Sequence, residues 1–147
     1  MADGLNMEDG LTLRGHHLLC MPGYQGFGYT EEHVAMMWEL RGHLWAYYDT
    51  MVTVQDSPDV ICHSCPHLSD DGCAIEQGSE VWVNRRDRRS LSLLGLKVGQ
   101  RLTWGEVLDR IRERVDEDKL ARACGQCRWF PRGHCLRGLR DVKSENV

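Results

Sequence analysis

The residues of this chain best suited to chemistry are its cysteines, because six of the seven occur in one spacing that is used twice. The motif C-x2-C-x7-C occurs at Cys62, Cys65 and Cys73, and again at Cys124, Cys127 and Cys135. A C-x2-C pair directs two thiolates at one centre, and a third nearby cysteine leaves the set one ligand short of a zinc or iron–sulfur site. The duplicated spacing therefore predicts bound metal.

The seventh cysteine, Cys20, determines how the ligands divide. Zinc and iron–sulfur centres usually take four protein ligands, so seven thiolates divide into a set of four and a set of three, or into four that bind metal and three that are spare. We expect Cys20 to join the first motif, since that loop is the shorter one to close. A four-thiolate set is closed, whereas a three-thiolate set keeps a position where a metal can bind and polarise a substrate.

The fourth ligand of the three-thiolate set is left open by the sequence. It is a histidine, a carboxylate or no protein group at all. The histidines next to the motifs are His63, His67 and His134. A residue beside a ligand often points elsewhere, so adjacency alone does not make any of them a ligand.

The metal itself is indicated only weakly by the residues. Pro66 follows Cys65, and a proline after a ligating cysteine occurs in bacterial ferredoxins, which favours an iron–sulfur cluster. Zinc remains the alternative, because zinc sites also use C-x2-C pairs. Disulfides are a third possibility, disfavoured by the odd number of cysteines and by an N-terminus without the features of an export signal.

A second group of candidate residues precedes Cys20 in the segment Arg14-Gly-His-His-Leu-Leu-Cys. If this segment is helical after Gly15, His16 and His17 lie four and three residues before Cys20 and can share its face. Arginine binds carboxylate or phosphate, and histidine transfers protons near neutral pH. Arg14, His16 and His17 are therefore the candidate catalytic residues. The alternative is that the histidines are core residues or support metal ligands from behind.

The remaining sequence predicts a mostly helical α+β fold with little strand. Met51–Gln55 alternates as a strand does, and a short strand containing Leu11 and Leu13 leads into the Arg14–Cys20 segment. Four helix patterns follow from capping residues and apolar periodicity. They begin at the caps Thr30, Ser79, Thr103 and Asp116, and Gly95 is placed to end the second of them.

We expect one small domain over residues 11–140, with two cysteine loops held by metal, between a disordered tail at 1–10 and a polar tail at 141–147. The length of 147 residues suits one domain, and the hydrophobic content of 41% is that of a globular protein. The acidic N-terminus lacks the pattern of a signal peptide, and no apolar run is long enough to span a membrane. These features predict a cytoplasmic protein that does not bind membranes.

The arginines are unevenly placed, and two clusters of them lie at residues 85–89 and 128–140. The formal net charge of −4 argues against a protein whose main ligand is nucleic acid. We therefore interpret the clusters as solvated helix faces.

Several motifs together resemble one bacterial and archaeal family catalogued as a domain of unknown function. They are Arg14–Cys20, the loop Gly23–Tyr29, Cys62-x2-Cys65-Pro-His-Leu, Leu93–Lys97 and Cys124-Gly-x-Cys127-Arg-Trp. The resemblance runs from about Leu11 to Leu139. It implies that all seven cysteines, Cys20 included, bind iron–sulfur clusters, and it supplies no reaction, substrate or partner.

The sequence therefore predicts an iron–sulfur protein with one or two clusters, most simply 4Fe-4S, that transfers electrons or runs a reaction at an open iron site. A redox partner protein would follow from electron transfer. The alternative is a zinc-binding adaptor or regulatory module without catalysis.

Overall fold

The structure, a computed structural model, describes residues 10–24, 30–57, 59, 68–69, 72–73, 79–124 and 133–144. For residues 68, 69, 72, 73, 79, 124 and 134 the description covers the backbone only. The described residues form one small α+β domain that is mostly helical, which confirms the predicted fold class. No helix in these ranges combines the length and the apolar composition that a membrane span requires.

A three-stranded sheet lies at the centre of the domain. Strand β1 (Leu11–Arg14) pairs in parallel with β2 (Met51–Gln55), and β2 pairs antiparallel with β5 (Arg101–Thr103). Side chains alternate between the core and the opposite face, as the pleat requires. The core-facing residues are Leu11, Leu13, Val52, Val54 and Leu102. The first two strands were predicted, whereas the three-residue β5 was not.

Six α-helices and a short 3₁₀ helix surround the sheet in the described chain. The helices are α1 (Gly15–Cys20), α2 (Glu31–Ala46), α3 (Ser79–Leu94), α4 (Trp104–Arg114), α5 (Glu117–Cys124) and α6 (His134–Ser144), with the 3₁₀ helix at Met21–Gly23. A separate two-stranded hairpin consists of β3 (Leu68–Ser69) and β4 (Gly72–Cys73).

The predicted helix caps are present where side chains are described. Thr30 accepts a hydrogen bond from the backbone N–H of His33 at the start of α2. Thr103 accepts one from Glu106 N–H at 3.2 Å at the start of α4, and Asp116 accepts one from Lys119 N–H at 2.8 Å at the start of α5. These bonds satisfy backbone donors that have no partner within the helix.

The apolar helix faces form the core. On α2 the buried apolar residues are Met37, Leu40 and Leu44, at helical spacing. On and directly after α4 they are Trp104, Val107, Leu108, Ile111 and Val115. Helix α3 ends before Gly95, as predicted.

The C-terminal tail predicted from Asp141 is instead part of a helix. Helix α6 continues to Ser144, and Val142 within it is only 2% exposed. Val142 lies three residues after Leu139 on the face that packs against α4, where the Val142 carbonyl accepts a hydrogen bond from Arg112. Because most residues of this segment are polar, the sequence analysis overlooked the apolar face that Leu139 and Val142 form.

Helix α1 is the element that connects the functional residues. It packs against α3 along its length and also contacts α5 and α6, while α6 packs against the 3₁₀ helix that follows α1. Gly15 makes the close approach to α3 possible, because a Cβ there would lie 2.3 Å from the Asp87 carbonyl oxygen. The packing brings the first and last helices of the domain together.

Candidate functional site

Two cysteines from opposite ends of the chain meet at the contact between α1 and α6. Cys20 is the last residue of α1, and Cys135 is the second residue of α6. Their side chains are hydrogen-bonded, and Cys135 is only 3% exposed. Helix α5, which ends at Cys124, contacts both α1 and α6. Three helices that carry a cysteine in their first or last turn are therefore in contact with one another.

We expected Cys20 to join the first motif, and among the described side chains it contacts Cys135 of the second motif. The expectation stays a prediction, because Cys62 and Cys65 lie outside the described residues and the side chain of Cys73 is not described. The expectation rested on loop length, yet closing a loop to Cys62 rather than to Cys124 changes the entropy cost by only about 1 kcal/mol. Packing of α1 against α6, which brings Cys20 to Cys135, therefore enters the choice of ligand set together with loop length.

The structure describes few of the other predicted ligands. Cys62, Cys65 and Cys127 lie outside the described residues, as do His63 and His67, and the side chains of Cys73, Cys124 and His134 are not described. Within the described side chains, no group of three or more histidine, cysteine or carboxylate residues is placed to hold a metal ion. Of the seven predicted thiolates, the structure shows Cys20 and Cys135 in contact.

The environment of this pair fits a thiolate-bound metal. The hydrogen bond from Cys20 lowers the pKa of the Cys135 thiol and outweighs burial, which acts to raise it. Cys135 also lies in the first turn of α6, where the helix dipole favours negative charge. The thiolate is the form that binds metal, so the donor chemistry matches that of a zinc or iron–sulfur centre.

A buried ionic network surrounds Arg14 at the opposite end of α1. Arg14 is 1% exposed and donates from Nε to Asp87 Oδ2 at 2.7 Å and from Nη2 to Glu80 Oε2 at 2.8 Å. Its backbone N–H donates to Asp59 Oδ2 at 2.8 Å. One arginine thus joins the end of β1 to α3 and to the residue that stands three positions before Cys62.

The predicted histidines are both bonded to carboxylates of this network. His16 Nδ1 lies 2.6 Å from Asp87 Oδ1, and His17 Nδ1 lies 2.6 Å from Asp59 Oδ2. The two rings are in contact, with their centroids 4.3 Å apart. The structure therefore brings Arg14, His16 and His17 together, while Cys20 lies one helical turn further along α1.

Burial keeps His16 neutral near pH 7. Desolvation is the largest effect, and together with the neighbouring His17 it lowers the pKa of His16 to about 4, against the opposing influence of Asp87. A neutral imidazole whose Nδ1–H donates to a carboxylate has its lone pair on Nε2. That arrangement suits metal ligation or proton acceptance.

Asp59, Glu80 and Asp87 are functional candidates that the sequence analysis missed. Asp87 interrupts the arginine cluster at residues 85–89, and it is fully buried. It lies four residues after Val83 and four before Leu91, on the apolar face of α3. A carboxylate on the apolar face of a predicted helix was the sequence feature that could have identified Asp87 as a candidate. The same cluster contains buried Arg86, so only its other arginines are the solvated face that we predicted.

Comparison with known protein families matches residues 28–133 to a family described as "Protein of unknown function (DUF1284)". The chain belongs to the DUF1284 family. The matched range includes the first cysteine motif and the first two cysteines of the second. Searches of curated proteins and of solved structures gave no match. For this DUF1284 protein, function must therefore be argued from the site.

Proposed function

We propose that this DUF1284 protein binds an iron–sulfur cluster through Cys20, Cys124, Cys127 and Cys135. The observation that supports the proposal is the side-chain contact between Cys20 and Cys135, which adds a fourth thiol to the second C-x2-C-x7-C motif. The contact of α5 with α1 and α6 supports Cys124 as a member of the set. Four cysteines are the usual ligand complement of such a cluster.

Transfer of single electrons is the chemistry that a bound cluster would supply here. Of the proposed ligands whose side chains are described, Cys135 is buried and Cys20 is partly exposed, at the contact between α1 and α6. Exclusion of water protects such a centre and influences its potential. A redox partner protein and a reducing, cytoplasmic location are part of this proposal.

The first motif would then have three thiolates of its own, from Cys62, Cys65 and Cys73. Such a set suits a second centre with a position free for a substrate or another ligand. Arg14, His16 and His17 are the residues that would act beside it if the protein is an enzyme. Asp59 connects this group of residues to the first motif. It bonds to Arg14 and His17, and it precedes Cys62 by three residues in the sequence.

Zinc bound by the same thiolates is the second candidate, and it would make the protein a structural or adaptor module. Four thiolates suit either metal, so the contact between Cys20 and Cys135 does not distinguish them.

Anaerobic purification with metal and sulfide analysis tests the proposal. We expect a brown protein that contains iron and acid-labile sulfide, with an electron paramagnetic resonance signal after reduction by dithionite. Mössbauer spectra cover diamagnetic states. A colourless protein that holds stoichiometric zinc after attempted cluster reconstitution would contradict the proposal and support the zinc candidate.

A further inference from the structure

The two histidines at the start of α1 are arranged as metal ligands are arranged in proteins. Metal-bound histidine typically donates its second ring N–H to a carboxylate, which fixes the ring and strengthens the bound nitrogen as a donor. His16 and His17 both make this bond through Nδ1, at 2.6 Å, to Asp87 and Asp59 respectively. Two such pairs stand side by side.

The Nε2 atoms of these rings are the available nitrogens. In the described part of the chain, no hydrogen bond reaches Nε2 of either histidine. Both carboxylates are also bonded to Arg14, Asp59 to its backbone N–H and Asp87 to its side-chain Nε, so both Nδ1 atoms are held by carboxylates that have a second partner. The side chains are 11% and 14% exposed, which leaves an ion a path to the pair.

The distance between the two rings suits a cation at this point. The ring centroids are 4.3 Å apart, and metal–nitrogen bonds are about 2 Å long, so one ion can contact both rings. The described network around the pair also contains three carboxylates, from Asp59, Glu80 and Asp87, and the guanidinium of Arg14.

We propose that His16 and His17 bind one divalent transition-metal ion through their Nε2 atoms, at a site separate from the thiolate pair of Cys20 and Cys135. Imidazole nitrogen selects ions such as iron(II), zinc and cobalt(II) over magnesium and calcium. Two protein nitrogens leave further coordination positions for water or for a substrate with an oxygen or nitrogen donor. Asp59 and Asp87 are positioning residues, because they act through the rings.

Cobalt(II) is the probe for this site. The full-length protein, purified anaerobically with its cysteine-bound metal and then washed with a chelator, is titrated with cobalt(II) by calorimetry. We expect one site whose affinity falls about tenfold to a hundredfold or more in His16→Gln and in His17→Gln. His43→Gln on α2 is the matched control and keeps the wild-type affinity. Equal cobalt(II) binding by wild type and by the His16→Gln/His17→Gln double variant would overturn the proposal.

Proton magnetic resonance of the cobalt(II) protein gives a second readout that does not depend on the variants' stability. Ligation through Nε2 places each Nδ1–H close to the paramagnetic ion, so two exchangeable, strongly shifted proton signals are expected, and their hydrogen bonds to Asp59 and Asp87 slow their exchange. Absence of both signals from a cobalt-loaded wild type contradicts Nε2 ligation. Metal and sulfide analysis of the same samples reports separately on the thiolate centre, so either proposal can fail without the other.

Discussion

Asp87 shows how single residues hold the site together. It accepts hydrogen bonds from Arg14 Nε, from the backbone N–H of His16 and from His16 Nδ1, and it is completely buried. A buried charge is tolerated only when it is paired and hydrogen-bonded, and removing one partner of such a pair typically costs about 3 to 5 kcal/mol. Arg14 and Asp87 therefore constrain the positions of both histidines as well as the fold.

At this scale the stability of the protein should depend on pH through His16. The pKa of His16 is about 4 in the folded protein, below the ordinary value of 6.5, so the unfolded chain takes up a proton that the folded protein excludes. Stability is therefore complete above about pH 6.5 and is lost as the pH falls toward 4. We expect a loss of about 2 kcal/mol from this residue between about pH 7 and about pH 5.

Urea unfolding of wild type and His16→Gln at these pH values measures the effect. The variant should lose about 2 kcal/mol less than wild type on acidification, whatever its stability at neutral pH. Asp87, Arg14 and His17 surround His16 in both proteins, so their contributions largely cancel in the difference. Equal losses in the two proteins would show that His16 is not excluded from protonation in the folded state.

At the scale of elements, the contact between α6 and the 3₁₀ helix depends on the absence of a side chain. A Cβ at Gly138 would lie 2.3 Å from the backbone nitrogen of Gly23 and 2.6 Å from the carbonyl carbon of Pro22. Gly42, within α2, has no atom within 4 Å of the same position. The two glycines are a matched pair, because both lie inside helices but only Gly138 faces the backbone of another element.

Gly138→Ala should destabilise the protein by about 1 to 3 kcal/mol, because backbone atoms cannot move aside as a flexible side chain would. Gly42→Ala should stabilise it by about 0.5 to 1 kcal/mol, since alanine is the better helix former and has space there. Urea unfolding of both variants is the measurement. A stabilising effect of Gly138→Ala would mean that α6 does not pack this closely on Met21–Gly23.

The elements that could be predicted are those with local signals. Thr30, Thr103 and Asp116 marked helix starts correctly, because a cap and its backbone donor lie within one turn. Strand β5 has three residues and exists through its pairing with the distant β2, so no local pattern indicated it. The same limit applies to the site. The Arg14–Cys20 segment was singled out from its residue types, whereas Asp87 and Cys135 join it only through long-range packing.

At the scale of the whole molecule, the fold connects residues near its two ends. Helix α1 follows the first strand, and α6 is the last described helix, yet Cys20 and Cys135 are hydrogen-bonded. The same helix α1 carries the histidine pair at its start and Cys20 at its end. A metal centre at the α1–α6 contact would therefore stabilise the domain as a whole, because metal binding to folded ligands is folding free energy.

Metal content in a set of cysteine variants tests the central claim, that Cys20 and Cys135 ligate one centre. Iron and sulfide are measured after anaerobic reconstitution of wild type, Cys20→Ala, Cys135→Ala and the double variant, with Cys73→Ala as the comparison from the other motif. The account predicts that each single variant loses the same centre, that the double variant loses no more, and that the loss in Cys73→Ala adds to either. Full metal content in Cys20→Ala, or additive losses for Cys20→Ala and Cys135→Ala, would contradict it.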